Sequence, residues 1–184
     1  MPDVIVVGDG PAGLSAALFL ARKGKSVTVI GAGTTGVRNA YLYNVLGIPE
    51  MDGPDFLETA RQQARRFGAE LVQARVTAIE KTDTGFAVTD DQGTRREARY
   101  VIYCAGRNRD LAVDLGVETN PDGSLKIDIN GRTSVENFYA AGRVARDQKI
   151  QIVISAGDGA AAALDILSRE AGQDLHDWDS RPKD

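Results

Sequence analysis

Apolar and polar residues follow two different periods in the first thirty positions. Val4 to Val7 are four apolar residues in succession, a pattern typical of a strand that is buried on both faces. From Pro11 to Lys23 apolar residues recur at helical spacing, and Gly24 follows as a stop signal. Ser26 to Ile30 is a second strand-like run. Because parallel strands need a crossover connection, this order predicts a βαβ unit.

A long loop and a second helix are predicted next. The loop covers residues 31–53, is rich in Gly and Asn, and is longer than a simple connection, which favours a functional role. The helix opens at Pro54 or Asp55 and stops at Gly68, and Glu70 to Ala74 is predicted as a third strand. The apolar face predicted for this helix consists of Phe56, Ala60, Ala64 and Phe67.

Shorter segments complete the pattern. Apolar and polar residues alternate in two segments, Val76 to Lys81 and Phe86 to Thr89, and turns lie at residues 83–85 and 91–93. This pattern indicates a β-meander. The remaining predicted elements are a strand at Tyr100 to Cys104, a turn at Asn120 to Gly123, a strand at Asn137 to Ala141 and a helix at Ile150 to Leu167. The pattern predicts one α/β domain over residues 1–172 with an inserted meander. A polar tail over residues 173–184 follows it.

Composition excludes several classes of protein. The chain has 184 residues and a net charge of -4, which argues against a general nucleic-acid binder. We interpret the clusters Arg61-Arg65-Arg66 and Arg95-Arg96-Arg99 as solvated faces of a helix and a hairpin. No stretch approaches the roughly 20 apolar residues of a membrane span, and the start of the chain shows no signal peptide. A single Cys suits a reducing cytoplasm.

The segment Gly8-x-Gly10-x-x-Gly13 carries the first indication of chemistry. It follows a predicted strand and opens a predicted helix. In this context one glycine makes the turn, one lets the backbone approach a pyrophosphate, and one permits close helix–strand packing. The N-terminus of the helix then offers N–H donors to the phosphates. The motif predicts a Rossmann-like domain that binds FAD or NAD(P) around a central parallel sheet.

Four motifs in order make a more specific resemblance. They are VIVVGDGPAGLSAALFLARKG, LYNVLGIPEMDGPDFLETARQQARRFGAEL, VIYCAGRNR and TSVENFYAAGRVARDQKIQIVISAGDGAAAALDIL. Together they resemble the FAD-binding half of thioredoxin reductases and related pyridine nucleotide-disulfide oxidoreductases, over residues 3 to about 170. The resemblance implies FAD as the cofactor.

The resemblance also implies cofactor-binding residues. Pyrophosphate would be held by Gly8, Gly10, Pro11, Ala12 and Gly13, and the adenosine half by Gly31, Ala32 and Val76. The flavin and its ribityl chain would lie near Asn44, Ala105, Gly106, Gly142, Arg143, Gln151 and Ile152. Backbone N–H groups at Gln151 and Ile152 would stabilise negative charge on a reduced flavin.

Two of these positions depart from the family pattern. Gly31 stands where the second strand usually ends in a Glu or Asp that binds the ribose, and Arg143 stands where the family has Asp. Arg143 either pairs with a pyrophosphate oxygen or turns to solvent. We expect FAD to bind through the glycine loop and backbone groups in spite of both changes.

A third departure concerns the reductase machinery. In the related reductases an NAD(P)H domain with a Cys-x-x-Cys follows the turn that corresponds to Cys104-Ala105-Gly106. Here that turn continues directly into a segment that resembles the family's return to the FAD domain. We interpret Cys104 as a small apolar core residue. Dithiol–disulfide reductase activity is therefore not expected of this chain alone.

Three functions remain open at this point. The first is a flavoprotein that takes part in electron transfer, reduced by free NAD(P)H or by a partner reductase. The second is a non-catalytic module that binds FAD or another nucleotide as a sensor or structural ligand, and the third is an NAD-binding domain. A homodimer would cover apolar surface at the place of the absent domain, and no metal is expected.

Overall fold

The computed structural model describes residues 1–176 of the chain. In chain order its elements are β1 (Val4–Val7), α1 (Pro11–Arg22), β2 (Val27–Gly31), β3 (Tyr41–Leu42), β4 (Met51–Asp52), α2 (Gly53–Arg66), β5 (Glu70–Gln73), β6 (Val76–Thr82), β7 (Gly85–Asp90), β8 (Arg95–Ala98), β9 (Tyr100–Tyr103), α3 (Asp110–Asp114), β10 (Phe138–Ala140) and α4 (Ile152–Ala171). Short 3-10 helices lie at Gly36–Asn39 and Gly142–Ala145.

A five-stranded parallel sheet forms the centre of the structure. Its strands lie in the order β10-β9-β1-β2-β5, so β1 has a parallel neighbour on each side. Val6 aligns with Val29 of β2 and with Ile102 of β9. The predicted α/β fold with a central parallel sheet is confirmed, and the meander β6-β7-β8 forms a separate antiparallel sheet.

The uninterrupted apolar character of β1 follows from the two layers that cover it. Successive strand residues point to opposite faces. Val4 and Val6 pack in a cluster with the helical residues Ala16 and Leu20. Ile5 and Val7 pack in a second cluster that contains Phe86, Val88 and Phe138. The helices therefore cover one face of the sheet and the meander covers the other.

Helices α1 and α4 pack directly on each other. At Gly159 of α4 an added Cβ atom would lie 2.0 Å from the carbonyl oxygen of Ala12, so only glycine permits this approach. A Cβ atom at Gly142 would lie 2.9 Å from Cβ of Ala12. These contacts hold the N-terminus of α1 beside the segment that leads into α4.

The structure corrects the predicted face of α2. Leu57, which was not assigned to that face, is fully buried with Ala64. Phe67 is 42% exposed, because the helix ends at Arg66 and Phe67 lies beyond its last regular turn. The helix also begins at Gly53, one or two residues earlier than predicted.

Other differences concern short or frayed elements. The strands β3 and β4 and the helix α3 were not predicted, because two to five residues carry no readable period. Helix α4 begins two residues later than predicted and ends four residues later, with Gly172 left-handed at its end. Residues 177–184 of the predicted tail lie outside the described residues, so the boundary at 172 stays a prediction.

Candidate functional site

A cleft opens at the carboxyl ends of the parallel strands. Chain order reverses between β1 and β9, since later strands are added on both sides of β1. Such switch points are where open α/β sheets bind ligands. The cleft has a volume of about 810 Å³, and its wall includes Gly8, Gly31, Cys104 and Ala141, which follow or end four of the strands.

The three motif glycines are close to different groups. At Gly8, with φ +111°, an added Cβ atom would lie 2.3 Å from the carbonyl oxygen of Cys104. At Gly13 it would lie 2.0 Å from the carbonyl oxygen of Gly8. At Gly10 the nearest atom is Oγ1 of Thr35, 3.2 Å away. Gly8 and Gly13 are therefore required by packing within the protein. Gly10 instead leaves this part of the cleft wall without a side chain.

Two helix N-termini reach the cleft without a side-chain cap. Neither α1 nor α4 has a side-chain cap hydrogen bond, and neither carries an acidic residue in its first turn. Their first residues, Pro11 and Ile152, both line the cleft. Free N–H groups and the helix dipole make such ends favourable for negatively charged groups. The cleft is thus suited to an anionic ligand.

Nearly all of the predicted cofactor residues lie around this one cleft. Fourteen of the fifteen line it: Gly8, Gly10, Pro11, Ala12, Gly31, Ala32, Asn44, Val76, Ala105, Gly106, Gly142, Arg143, Gln151 and Ile152. The remaining residue, Gly13, is buried behind the glycine loop. Their individual binding roles stay predictions.

The loop between β2 and α2 forms one wall of the cleft. Its residues Tyr41, Leu42 and Tyr43 line the cleft. Across the opening, Nδ2 of Asn44 donates a hydrogen bond to Oε1 of Gln151 over 3.4 Å. The long loop therefore contacts Gln151, the residue that precedes α4.

Basic side chains line the part of the cleft near Gly142. Arg107 and Arg143 both face the cleft. Arg109 donates from Nε to the carbonyl oxygen of Val144 over 3.0 Å and from Nη2 to that of Arg143 over 3.4 Å. Within residues 1–176 no carboxylate pairs with the Arg143 guanidinium. This end of the cleft is therefore positively charged where the family pattern has Asp.

Sequence reasoning missed an acidic residue in the glycine loop. Asp9 lines the cleft, and its Oδ2 accepts a hydrogen bond from Nη2 of Arg61 over 2.7 Å. Arg61 was interpreted as part of a solvated face, and this is wrong because its side chain is half-buried against Asp9. The motif permits any residue between its first two glycines, so only the unusual charge could have indicated Asp9.

Cys104 lies in the wall of the cleft as a neutral thiol. Burial and, to a smaller extent, the negative charge of Asp158 raise the pKa of the Cys104 thiol to about 12. Because the thiolate is the reactive form of cysteine, this residue has the properties of the small apolar group that the sequence predicts. Residues 1–176 contain no group of His, Cys, Asp and Glu suited to a metal ion.

The fold and the cleft define a nucleotide-binding α/β protein of the kind found in flavin- and nicotinamide-dependent enzymes. The chain belongs to the pyridine nucleotide-disulphide oxidoreductase family, which it matches over residues 2–47 and 44–160. The predicted relationship to thioredoxin reductases is thereby confirmed at the level of the family. No helix within residues 1–176 is long and apolar enough to span a membrane.

Several relatives support this assignment. A thioredoxin reductase from Streptomyces coelicolor is 33% identical over 175 residues, which cover 92% of this chain and 51% of the relative. A thioredoxin reductase from Aquifex aeolicus is 33% identical over 109 residues, with 56% of this chain and 33% of the relative covered. The chain spans about half the length of the Streptomyces reductase.

Solved structures show the same fold. A thioredoxin reductase from Gloeobacter violaceus aligns with a TM-score of 0.87 at 18% identity, covering 96% of this chain and 98% of that one. The atypical thioredoxin reductase TRi from Desulfovibrio vulgaris Hildenborough aligns with a TM-score of 0.86 at 20% identity, covering 94% and 99%. At these identities the likeness establishes the fold.

Proposed function

We propose that this chain is an FAD-binding flavoprotein domain, related to thioredoxin reductase, that takes part in electron transfer. One observation carries the proposal: a glycine loop and two uncapped helix N-termini meet at a single cleft. Dinucleotides bring two phosphates and need this combination of close backbone approach and N–H donors. The volume of the cleft, about 810 Å³, lies within the range of cofactor sites.

The residues of the cleft fit the two halves of FAD. Gly8, Gly10 and Ala12 would hold the pyrophosphate beside the N-terminus of α1. The start of α4 at Gln151 and Ile152 would direct backbone N–H groups toward the flavin. Bound FAD would supply hydride and one-electron transfer. The chain itself would hold the cofactor through backbone N–H donors and arginine side chains that line the cleft.

The source of electrons lies outside this chain in the proposal. The sequence has a single Cys and therefore no Cys-x-x-Cys, and no second glycine motif follows Gly106. We propose that free NAD(P)H or a partner reductase in the cytoplasm reduces the flavin, without dithiol–disulfide activity of the chain alone. Tyr43, which lines the cleft, and Leu46 are 73% and 94% exposed and would contribute to a surface that such a partner or a second copy covers.

A second candidate is a sensor module that binds FAD or another nucleotide without turnover. Gly31 and Arg143 favour it, because both replace acids that the family pattern places beside the cofactor. The two candidates differ in whether the bound cofactor is reduced by a physiological donor.

The first experiment is a visible absorption spectrum of the purified protein, with chromatography of the ligand released on denaturation. We expect a flavin spectrum and release of FAD. Anaerobic addition of NADH, NADPH or a reductase then separates the two candidates, since bleaching indicates electron transfer. A protein that remains colourless and takes up no added FAD would refute flavin binding, and release of NAD would indicate a nicotinamide site.

The variant Gly10→Val places a branched side chain against Thr35 in the wall of the cleft. We expect a folded protein that no longer retains FAD. Gly157→Val is the matched control, because Gly157 lies in α4, away from the cleft, with no atom near an added Cβ. Full FAD content in a folded Gly10→Val protein would contradict the position of the site.

A further inference from the structure

The side-chain volume at position 31 is already occupied in this protein. Gly31 ends β2 at the edge of the cleft. A Cβ atom added to Gly31 would lie 2.4 Å from Cβ of Asp9, 2.5 Å from its Cγ and 2.6 Å from its Oδ1. These distances are far below van der Waals contact, so a side chain at position 31 and the side chain of Asp9 exclude each other.

The carboxyl group of Asp9 is held with one oxygen available. Arg61 reaches from α2 and donates to Oδ2 over 2.7 Å. Within the described residues no group donates to Oδ1, which lies 2.6 Å from the position of a Cβ atom added to Gly31. The side chain of Asp9 is 14% exposed and lines the cleft, so a bound ligand can reach Oδ1.

Dinucleotide-binding folds commonly place a carboxylate at this edge of the sheet. An acidic residue that follows the second strand commonly accepts hydrogen bonds from the ribose hydroxyls. Gly31 cannot supply one, whereas Asp9 places a carboxylate in the space that the side chain of residue 31 would enter.

We propose that Asp9 binds the adenosine ribose of the dinucleotide. Its carboxylate lies where the acidic side chain that is absent from position 31 would lie, and takes over that role. Arg61 positions Asp9 by binding its other oxygen. This inference rests on the proposed function, because it requires a ligand with an adenosine ribose in the cleft. It assigns the acceptor of the ribose hydroxyls to the glycine loop itself.

The test uses the full chain freed of flavin and two ligands. One ligand is FAD, and the other is an FAD analogue with hydrogen in place of both hydroxyls of the adenosine ribose. The variant Asp9→Asn keeps the shape of the side chain and removes its charge. Glu118→Gln is the control, because Glu118 also pairs with a base, Lys126, but lies on the exposed surface outside the cleft.

Wild-type protein is expected to bind the analogue about tenfold more weakly than FAD, because the analogue lacks the hydroxyls that would donate a charge-assisted hydrogen bond to Asp9. Asp9→Asn is expected to bind FAD about tenfold more weakly and to bind the two ligands within about twofold of each other. Glu118→Gln should behave as wild type. The unfolding midpoints of all three proteins establish that they are folded.

A position exchange provides a second test. Gly31→Glu alone is expected to lose FAD affinity, because the new side chain collides with Asp9. Adding Asp9→Gly removes the collision and should restore FAD affinity to within about threefold of wild type, since one acidic residue again faces the ribose.

The outcomes separate this inference from the proposed function. If wild-type protein binds no FAD, both fail. If wild-type protein binds FAD but Asp9→Asn binds it equally well, or still distinguishes FAD from the analogue as wild type does, Asp9 is only a structural partner of Arg61. In that case the inference is overturned and the proposed function stands.

Discussion

Two pairs of aspartate and arginine in this protein differ in how many carboxylate oxygens are hydrogen-bonded by the protein. At the cleft, Asp9 receives one hydrogen bond from Arg61 through Oδ2. Away from the cleft, Asp165 of α4 receives Arg132 on both oxygens, at 2.6 Å from Nη2 and 2.7 Å from Nε. Tyr139 donates a further hydrogen bond of 2.7 Å to Oδ2 of Asp165.

The difference lies in the acceptor positions that remain open. Asp165 is 8% exposed, and its protein partners bind both oxygens. A buried carboxylate must be satisfied in this way, because each unmet hydrogen bond costs free energy of folding. Asp9 leaves Oδ1 without a donor at the edge of a cleft. In the structural pair both carboxylate oxygens accept hydrogen bonds from the protein. In the pair at the cleft one carboxylate oxygen is left for a ligand.

Asp165→Asn gives the largest expected effect on stability. It removes the charge that pairs closely with Arg132, leaves only the more distant Asp128 at 4.0 Å, and weakens three hydrogen bonds, so we expect a loss of about 3 kcal/mol in the free energy of unfolding. Urea unfolding of the flavin-free protein measures this loss. FAD affinity of the folded variant should equal that of wild type, and a selective loss of affinity would break the distinction between the two pairs.

The pH dependence of the same pair gives the next effect. Burial raises the pKa of Asp165, but hydrogen bonds from Arg132 and Tyr139 lower it more, so the net value lies below the ordinary 3.8. The stabilisation is therefore complete above pH 3.8 and is lost as pH falls through the lowered pKa. Urea unfolding at a series of pH values should show wild type and Asp165→Asn converging only in acid. Convergence near neutrality would contradict this assignment.

Tyr139→Phe removes one member of the structural cluster. Its hydroxyl is buried and donates to Asp165, so we expect a loss of about 1 kcal/mol, smaller than that of Asp165→Asn. Tyr41→Phe is a control, because the hydroxyl of Tyr41 donates to Glu50 on the exposed surface. Equal losses in thermal unfolding for the two variants would show that burial does not distinguish them.

Arg61→Met is expected to have the smallest effect on stability. The pair is partly exposed and makes one hydrogen bond, so the loss should be below about 1 kcal/mol. FAD affinity should fall by about threefold, less than for Asp9→Asn, because Asp9 loses its positioning but keeps its charge. Titration of the flavin-free protein with FAD measures this, and a larger loss of affinity than in Asp9→Asn would indicate that Arg61 contacts the ligand itself.

The general architecture could be predicted because it follows from local rules. A strand buried on both faces must be apolar throughout, as Val4 to Val7 are, and a helix between two such strands favours parallel pairing. The glycine motif could also be placed, since Gly8 and Gly13 are required by packing within the protein. The short elements β3, β4 and α3 could not, because their few residues show no period.

The backbone features of the candidate site could be predicted from the sequence, whereas the positions of its charged side chains could not. The positions of the glycine loop and of both helix N-termini follow from sequence motifs, because close backbone approach demands particular residue types at particular spacings. The sequence also showed that no acidic residue stands at position 31.

Only the tertiary structure decided what occupies that space. Residues 9 and 31 lie on neighbouring strand ends, and Arg61 comes from a helix much later in the chain. Whether Asp9 points to solvent or over Gly31 depends on the parallel pairing of β1 with β2 and on the packing of α2. A linear motif specifies the residue at each position, but the direction of a side chain depends on neighbours that folding brings together.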